Sequence, residues 1–230
     1  MTKGAALIFG GTSGYGRGIG QRLKDAGYDS FGLSRRNGCD VRDPKAVQAA
    51  VQDIVDMDYT VNVVVYSAGL AIAKETIENG DPLAWAQVME TNALGLMYVA
   101  KAVIPRLRKS RGHLISIGSI ANEIAYAGAA DYCASKAAQT RIMETLRYEL
   151  LGSGIRQSSI EVGLGNTDFQ RNRYSGDMEK AKEHYAGIKQ LEPDDLGDTV
   201  LWLLNRPDHV NVDSITVKPI GQAHHGHLAE

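Results

Sequence analysis

Six short apolar runs, each about the length of a β-strand, recur along the chain. Within most of them the apolar positions are continuous rather than alternating, which is typical of strands buried on both faces of a parallel sheet. Segments of helical length separate most of the runs, so the pattern predicts a doubly wound α/β fold. The runs are AALIF at 5–9, SFGLS at 30–34, VNVVVY at 61–66, HLISI at 113–117, SSIEV at 158–162 and SITVK at 214–218.

Capping signals mark where three helices begin. Asp43 and Asp81 each precede a proline, and an aspartate oxygen at the cap followed by proline at the first helical position favours a helix start. A third start is predicted at EPDD, residues 192–195, because acidic residues there complement the helix dipole. No repeat, low-complexity linker or compositional break occurs, so the sequence predicts a single domain over residues 1–230.

The connection after the second predicted strand is unusually short. Only residues 35–38 separate that strand from CDVRDP at 39–44. A parallel crossover needs roughly a dozen residues. The sequence therefore predicts that the crossover helix after the second strand is shortened or absent.

Composition and charge narrow the class of protein. The chain has 230 residues, of which 43% are hydrophobic and 23% charged, as in a soluble globular protein. A net charge of -2 gives no electrostatic reason to expect a nucleic-acid partner or an anionic membrane. Trp85 and Trp202 are predicted to lie in the core rather than at a ligand.

The cysteines and the chain ends point to an intracellular setting. Cys39 and Cys133 are the two cysteines, so no disulfide framework is predicted and a reduced, cytoplasmic environment fits. The first apolar run is broken at once by glycines, unlike a signal peptide or a membrane span. The histidines at 224, 225 and 227 are interpreted as a solvated chain end, so no metal is predicted.

A glycine-rich segment, FGGTSGYGRGIG at 9–20, joins the first strand to a short amphipathic helix. Gly10 would let the chain turn sharply, Gly14 would let a pyrophosphate approach the backbone, and Gly16 would allow close helix packing. The helix N-terminus adds free N–H groups and positive potential. Turns also need glycine, but the position between a strand and a helix predicts a Rossmann-type dinucleotide site.

The end of the second strand predicts which dinucleotide binds. An NAD site usually places an acid there for the ribose 2′-hydroxyl, but the chain has Ser34, Arg35 and Arg36, and Asp29 lies at the wrong end of the strand. A guanidinium fork suits a 2′-phosphate. NADP is therefore predicted, against the alternative of two solvated arginines.

Tyr132 and Lys136 lie four positions apart, so they share one face of a predicted helix. A free phenol has a pKa of about 10, and a neighbouring ammonium lowers it. Such a tyrosine can exchange a proton with an alcohol oxygen near neutral pH. The same spacing also occurs by chance on exposed helices.

Two further polar residues favour the chemical interpretation. Ser119 closes the apolar strand HLISIGS at the sheet edge where open α/β sheets bind ligands. Asn92 lies within a long helical segment, where asparagine is a poor helix former. A special role is predicted for it, although a surface asparagine is the alternative.

Together these motifs resemble those of the classical short-chain dehydrogenases/reductases, and the resemblance covers nearly the whole chain. The family's glycine pattern is matched by the loop at 10–16, and its Asn-Asn-Ala-Gly stretch by YSAG at 66–69, where Tyr66 and Ser67 replace the asparagines. At the end of the predicted strand at 158–162, where the family usually has Pro-Gly, this chain has Val162-Gly163. The family's catalytic asparagine, serine, tyrosine and lysine fall on Asn92, Ser119, Tyr132 and Lys136.

The resemblance implies a role for each of the four catalytic candidates. Tyr132 would be the general acid/base, and Ser119 would hold the substrate oxygen. Lys136 would bind the nicotinamide ribose and lower the pKa of Tyr132. Asn92 would order a water for proton relay.

The resemblance also implies how NADP(H) is held. Asp40 falls where the family contacts the adenine, and Thr167 where it contacts the nicotinamide carboxamide. The residues expected to contact the cofactor are Gly10, Thr12, Ser13, Gly14, Tyr15, Gly16, Ser34, Arg35, Arg36, Asp40, Ala68, Gly69, Tyr132, Lys136 and Thr167.

Residues 166–219 are similar to one branch of the family, the NADP-dependent dehydrogenases of short 3-hydroxy acids such as serine and allo-threonine. In that branch an arginine before an aromatic residue lies in the substrate loop, here about 165–190, which implies that Arg173 clamps an anionic substrate and that Arg171 is a second candidate. A planar guanidinium pairs bidentately with a carboxylate. Both arginines could instead be solvated charges on a loop.

Three functions stay open on the sequence alone. The first is an NADP-dependent oxidoreductase acting on a small hydroxy acid, its oxo partner or a semialdehyde. The second is a ketoreductase for a larger neutral substrate, and the third is an NADP-binding regulator without turnover. The resemblance also implies that the helical segments at about 82–110 and 132–152 pair with their copies in a homodimer or homotetramer, although they could simply be buried.

Overall fold

One parallel sheet forms the centre of the molecule. The structure, a computed structural model, describes residues 3–72, 74–167, 187–224 and 227–228. The strands are β1 (Ala5–Phe9), β2 (Asp29–Leu33), β3 (Val61–Tyr66), β4 (His113–Ile117), β5 (Arg156–Val162) and β6 (Ser214–Val217), followed by the antiparallel pair β7 (Gln222–His224) and β8 (His227–Leu228). The first six strands lie in the order β2-β1-β3-β4-β5-β6, and every neighbouring pair is parallel.

Helices cover both faces of this sheet. Those of the described residues are α1 (Gly14–Asp25), α2 (Pro44–Asp56), α3 (Pro82–Met89), α4 (Gly95–Ser110), α5 (Ala130–Glu149) and α6 (Pro193–Leu204). Residues of α2, α4 and α5 pack against one face, and residues of α1 and α6 pack against the other. Because side chains alternate along a strand, Leu7 and Phe9 of β1 enter the first core and Ala6 and Ile8 the second. The predicted α/β class is therefore confirmed.

The predicted helix starts are confirmed as well. The Asp43 carboxylate accepts a hydrogen bond from the Lys45 N–H at 2.8 Å where α2 begins. The Asp81 carboxylate accepts one from the Leu83 N–H at 2.9 Å where α3 begins. α6 begins directly after Glu192.

The short connection after β2 is confirmed, and it makes β2 the edge of the sheet. Between β2 and Cys39 the chain forms only a 3₁₀ turn, Arg35–Asn37. The Asn37 side-chain amide donates to the Gly32 carbonyl at 2.7 Å, so it partly satisfies the backbone of this edge strand. The helix that returns the chain to the sheet is α2, which leads into β3 on the other side of β1.

The segment at about 82–110 is helical throughout, as predicted, although a π-helical turn at Glu90–Leu94 lies between α3 and α4. One detail of the sequence prediction was wrong. Neither tryptophan belongs to the cores: Trp85 is partly buried, and Trp202 is 44% exposed, with the Arg206 guanidinium carbon 4.4 Å from its ring centre. Among the described residues, none of the helices combines the length and the apolar character that crossing a membrane requires.

Candidate active site

A cleft of about 580 Å³ opens at the carboxyl ends of β1 to β5. It lies where β1 is followed by β2 on one side and by β3 on the other, which is where open α/β sheets bind ligands. Its volume is in the range of pockets for small molecules and cofactors. All the residues predicted to contact the cofactor, except Gly16, line this cleft, as does Ser119.

The glycine loop has the close contacts that the sequence predicted. Gly10 has a φ of +85°, and a Cβ there would lie 2.6 Å from the Ala68 backbone nitrogen, so only glycine fits. A Cβ at Gly16 would lie 2.4 Å from the Gly10 carbonyl oxygen, so Gly16 brings α1 against the loop. Ser13 caps α1 without a side-chain bond to the first turn, which leaves the helix N-terminus able to receive an anion.

At the β2 end of the cleft, hydrogen bonds order the arginine-bearing turn. The Thr12 hydroxyl donates to the Ser34 hydroxyl oxygen at 3.0 Å, and the same oxygen accepts from the Arg36 N–H at 3.1 Å. Arg35 and Arg36 themselves are exposed and line the cleft. Two guanidinium groups therefore stand beside the mouth of the cleft, as expected for recognition of a phosphate.

Asp40 also lines the cleft, but it is already paired. The Arg42 guanidinium donates to both of its carboxylate oxygens, the shortest bond being 2.6 Å from Nη2 to Oδ2. This side-chain bond holds the pKa of Asp40 below its usual value. Arg42 lines the cleft too and was not identified from the sequence. The role implied for Asp40 toward the adenine stays a prediction.

Tyr132 and Lys136 come together as their spacing predicted. Both lie on α5, they are 8% and 4% exposed, and both line the cleft. The Lys136 Nζ is 5.9 Å from the centre of the Tyr132 ring. A positive charge at that distance favours the phenolate form of tyrosine.

Two hydrogen bonds fix the Lys136 ammonium. Its Nζ donates to the Ile117 carbonyl at 3.1 Å and to the Gln139 Oε1 at 2.8 Å. Gln139 is held in turn by its own amide, which donates to the Ile117 carbonyl at 3.1 Å. An ammonium has three N–H donors, so one of them remains for a ligand in the cleft. Burial lowers the pKa of Lys136 to about 8, and Glu161 opposes that shift.

Hydrogen bonds hold both the backbone and the side chain of Ser119. Its backbone N–H donates to the Glu161 Oε2 at 2.8 Å, and its hydroxyl oxygen accepts from the Ala121 N–H at 3.2 Å. Burial raises the pKa of Glu161, whereas Lys136 and the Ser119 N–H lower it. Glu161 was not identified as functional from the sequence, although an acid inside the apolar run at 158–162 is a visible signal.

Asn92 lies behind the cleft instead of lining it. It is fully buried in the π-helical turn, and its side chain bonds both backbone groups of Leu70 at 2.8 Å. Its amide also donates to the Ser135 hydroxyl oxygen at 2.9 Å, and that hydroxyl donates to the Tyr132 carbonyl at 2.8 Å. Asn92 is thus connected to the backbone of Tyr132 through Ser135.

Tyr66, which the sequence showed only as a departure from the family motif, supports the same turn. It is fully buried, and its hydroxyl donates to the carbonyl of Thr91, next to Asn92. A Cβ at position 95 would lie 2.5 Å from that hydroxyl, so Gly95 makes room for it. π-helical turns leave irregular backbone bonding and are frequent at functional sites.

The other predicted site residues lie at or beyond the limit of the described chain. Thr167 lines the cleft opposite the glycine loop, with its Cβ 3.5 Å from where a Cβ on Gly14 would be. Arg171 and Arg173 lie outside the described residues. Over the described ranges, no group of three or more His, Cys, Asp or Glu side chains could hold a metal ion.

Comparison with known proteins agrees with this fold. Residues 3–212 match the family described as "Enoyl-(Acyl carrier protein) reductase". A probable NADP-dependent dehydrogenase of Haemophilus influenzae is 34% identical, over 98% of this chain and 97% of that protein. The NADP-dependent 3-hydroxy acid dehydrogenase YdfG of Salmonella typhi is 32% identical, over 96% of each chain.

A solved structure is similar throughout. A serine dehydrogenase in its closed form, complexed with NADP+, superposes with a TM-score of 0.86 at 30% identity and covers 96% of both chains. The chain belongs to the short-chain dehydrogenase/reductase family.

Proposed function

We propose that this protein is an NADP-dependent oxidoreductase that transfers a hydride between the nicotinamide ring and a small hydroxy acid or its oxo partner. The observation that carries the proposal is the meeting of Ser119, Tyr132 and Lys136 with the glycine loop in one cleft. A binding protein without turnover would need the loop, but it would not need a buried tyrosine beside an ammonium group.

The cleft fits a dinucleotide phosphate. Gly10 lets the glycine loop pack against the backbone that follows β3, since a Cβ there would lie 2.6 Å from the Ala68 nitrogen. The N-terminus of α1 would hold the pyrophosphate, and Arg35 and Arg36 would hold the 2′-phosphate. When bound, NADPH supplies the hydride for reduction of a carbonyl, and NADP+ accepts it in the reverse direction.

Tyr132 moves the proton in this scheme. During reduction its hydroxyl donates a proton to the carbonyl oxygen as that oxygen becomes an alkoxide, and during oxidation its phenolate takes the proton back. The Lys136 ammonium stabilises the phenolate, and its remaining N–H would bind the nicotinamide ribose. Because both side chains are buried, water does not screen this interaction strongly.

Ser119 and Asn92 set the geometry around the tyrosine. The Ser119 hydroxyl would bind the substrate oxygen, and the bond from its backbone to Glu161 keeps it in place. Asn92 would hold the backbone of Tyr132 through Ser135. Binding of the oxygen by Ser119 and Tyr132 together would place the reacting carbon for hydride transfer.

The relatives support a small acid as the substrate. One is named a 3-hydroxy acid dehydrogenase and another, from Rhizobium radiobacter, a serine 3-dehydrogenase. The planar fork of a guanidinium can bind a substrate carboxylate through two hydrogen bonds. Arg173, with Arg171 as a second candidate, would be that partner in the loop at about 165–190.

A substrate panel tests the proposal. NADPH consumption is followed with small oxo acids, semialdehydes and uncharged ketones of matched size, and NADP+ reduction with serine and other 3-hydroxy acids. We expect turnover of the acids, and we expect Tyr132→Phe to lower kcat by at least about a hundredfold while NADPH binding is retained.

The other outcomes identify the alternatives. Turnover of uncharged ketones alone would favour a ketoreductase for a neutral substrate. Tight NADPH binding with no turnover of any compound would favour a regulator. Full activity of Tyr132→Phe would contradict the mechanism itself.

We further propose that residues 1–230 form one catalytic domain, that the protein works in the cytoplasm, and that it assembles as a homodimer or homotetramer. Leu94, the last residue of the π-helical turn, and Met97 on α4 are 40% and 50% exposed, and Tyr148 near the end of α5 is 82% exposed. An interface between copies of the chain would bury these apolar side chains.

A further inference from the structure

Glu161 is a buried acid whose negative charge has no role in the mechanism above. It lies on β5 between Ile160 and Val162, whose side chains enter the core under α1 and α6. Because side chains alternate along a strand, the Glu161 carboxylate points to the opposite face, where α5 lies, and it meets Thr140 there at 3.4 Å. Only 2% of Glu161 is exposed.

Burial of a carboxylate is unfavourable unless its oxygens have partners. Here the neighbouring residues provide a partner and leave space for the carboxylate to reach it. One oxygen, Oε2, accepts the Ser119 N–H at 2.8 Å. A Cβ at position 118 would lie 2.1 Å from the same oxygen, so Gly118 is required for the carboxylate to reach Ser119. Among the described residues no Lys, Arg or His nitrogen lies within 4.0 Å of this carboxylate, so it does not form a closed ion pair.

The charge of Glu161 nevertheless reaches the catalytic lysine. Lys136 is on α5 one turn before Thr140, and the two charged groups stabilise each other across the space between β5 and α5. We propose that Glu161 is a positioning residue of the active site, which orients Ser119 through its backbone and keeps the Lys136 ammonium charged. This inference rests on the proposed function, since it concerns the same cleft.

The electrostatics predict how the pKa of Lys136 changes when the charge of Glu161 is removed. Burial lowers the pKa of Lys136 to about 8, so its charge near neutral pH depends on what surrounds it. Lys136 on α5 and Glu161 on β5 each shift the pKa of the other. Two more titratable groups lie near them: Tyr132 is beside Lys136 on α5, and Glu123, which follows the turn after Ser119, raises the pKa of Glu161. Removing the negative charge of Glu161 would lower the pKa of Lys136 further.

Carbonyl reduction requires both the Tyr132 proton and the Lys136 charge. A negative charge nearby favours the protonated form of each group, so its loss makes both release a proton at lower pH. The alkaline limb of the kcat profile for reduction would therefore move to lower pH. If Glu161 had only a structural role, replacing it would change the stability of the protein without moving the alkaline limb of the kcat profile.

Glu161→Gln separates charge from hydrogen bonding, because the amide oxygen of glutamine can still accept the Ser119 N–H. We expect this variant to fold and to bind NADPH at pH 7. We also expect the alkaline limb of kcat for an oxo-acid substrate to move down by about one pH unit. NADPH binding, followed by fluorescence titration, should weaken at a correspondingly lower pH than in the wild type.

Two further variants serve as comparisons. Glu149→Gln makes the same change of net charge at an exposed site near the end of α5 and should leave both profiles unchanged. Glu161→Asp keeps the charge but moves it back by one methylene, so we expect kcat to fall severalfold with the limb at the wild-type pH. This second variant also tests the proposal if Glu161→Gln does not fold.

The result that overturns the proposal is a folded Glu161→Gln enzyme whose two pH profiles match the wild type, or a Glu161→Asp enzyme with unchanged kcat. These results differ from failure of the proposed function, in which the wild-type protein itself would turn over no substrate on the panel.

Discussion

Lys136 and Tyr132 behave differently from the same side chains in water, because each is more than nine-tenths buried. The pKa of Lys136 falls to about 8 through burial, while bonds to the Ile117 carbonyl and Gln139 hold the ammonium in place. A lysine in this state is still charged at neutral pH. Its charge is therefore available to the tyrosine, but neighbours such as Glu161 can shift it.

Arg35 is the residue where cofactor preference can be tested. A charge-assisted hydrogen bond contributes about 1.5–3 kcal/mol, so Arg35→Ser should weaken NADPH binding by about tenfold to a hundredfold. NADH lacks the 2′-phosphate, and its affinity should hardly change. Both dissociation constants can be measured by fluorescence titration.

Arg108→Ser is the matched control for Arg35→Ser, because it removes one exposed arginine from the last turn of α4, away from the cleft. It should leave both affinities at their wild-type values. An equal loss for NADPH and NADH in Arg35→Ser would show that Arg35 does not recognise the 2′-phosphate.

At the scale of the elements, a buried histidine joins β4 to β5. His113 opens β4, and its Nε2 shares a hydrogen bond of 2.9 Å with the Ser158 hydroxyl of β5. Burial lowers the pKa of His113 to about 3. The folded protein thus keeps this imidazole neutral over a pH range in which an unfolded chain would protonate it.

His113 should therefore make the protein less stable in acid. Below pH 6.5 the unfolded state gains a proton that the folded state does not accept until about pH 3. The free energy of unfolding should fall with decreasing pH in this window, by up to about 1.4 kcal/mol per pH unit from this residue. His113→Leu should flatten the slope, as measured by urea unfolding between pH 7 and pH 4, an interval of roughly three units.

The control is His209→Leu, which removes an exposed imidazole from the loop after α6. Its slope should equal that of the wild type. If His113→Leu kept the full wild-type slope, other groups would account for the loss of stability in acid.

At the scale of the whole molecule, the sheet ends at β2 and no further strand pairs with its outer edge among the described residues. The proposed catalytic residues lie away from this edge, since Ser119 follows β4 and both Tyr132 and Lys136 lie on α5. The short connection after β2 therefore lies beside the part of the cleft where Arg42 pairs with Asp40, and not beside these three residues.

A single substitution can test whether the protein assembles through α4. Met97→Asp places a charge on the exposed start of α4, so a homodimer or homotetramer built on this helix should dissociate into smaller species. Light scattering after size-exclusion chromatography measures the mass. Met57→Asp makes the same change at a residue of similar exposure, 56% against 50%, beyond α2, and should leave the mass unchanged.

A wild-type protein that is monomeric at micromolar concentration would contradict the proposed assembly. An unchanged mass for Met97→Asp would show that α4 is not the interface.

Much of the fold was determined by local sequence. The runs at 5–9, 61–66 and 113–117 became strands with the predicted bounds, because short, continuous and β-branched apolar runs suit strands that are covered by helices on both faces. Asp43 and Asp81 marked helix starts, because a cap acts within three residues of itself. The spacing of Tyr132 and Lys136 determined that they share a helix face.

Tertiary structure alone decided what surrounds those two residues. Glu161, Gln139 and Ser135 are 25, 3 and 1 positions from Lys136 in the chain, and only the packing of α5 against β4, β5 and the π-helical turn shows which of their atoms meet the site. The π-helical turn and its bond from Tyr66 depend likewise on contacts between β3 and the α3–α4 segment. Local sequence records propensities and spacing, whereas the burial that sets the pKa of Lys136, and the partners that compensate for it, exist only once distant segments have packed together.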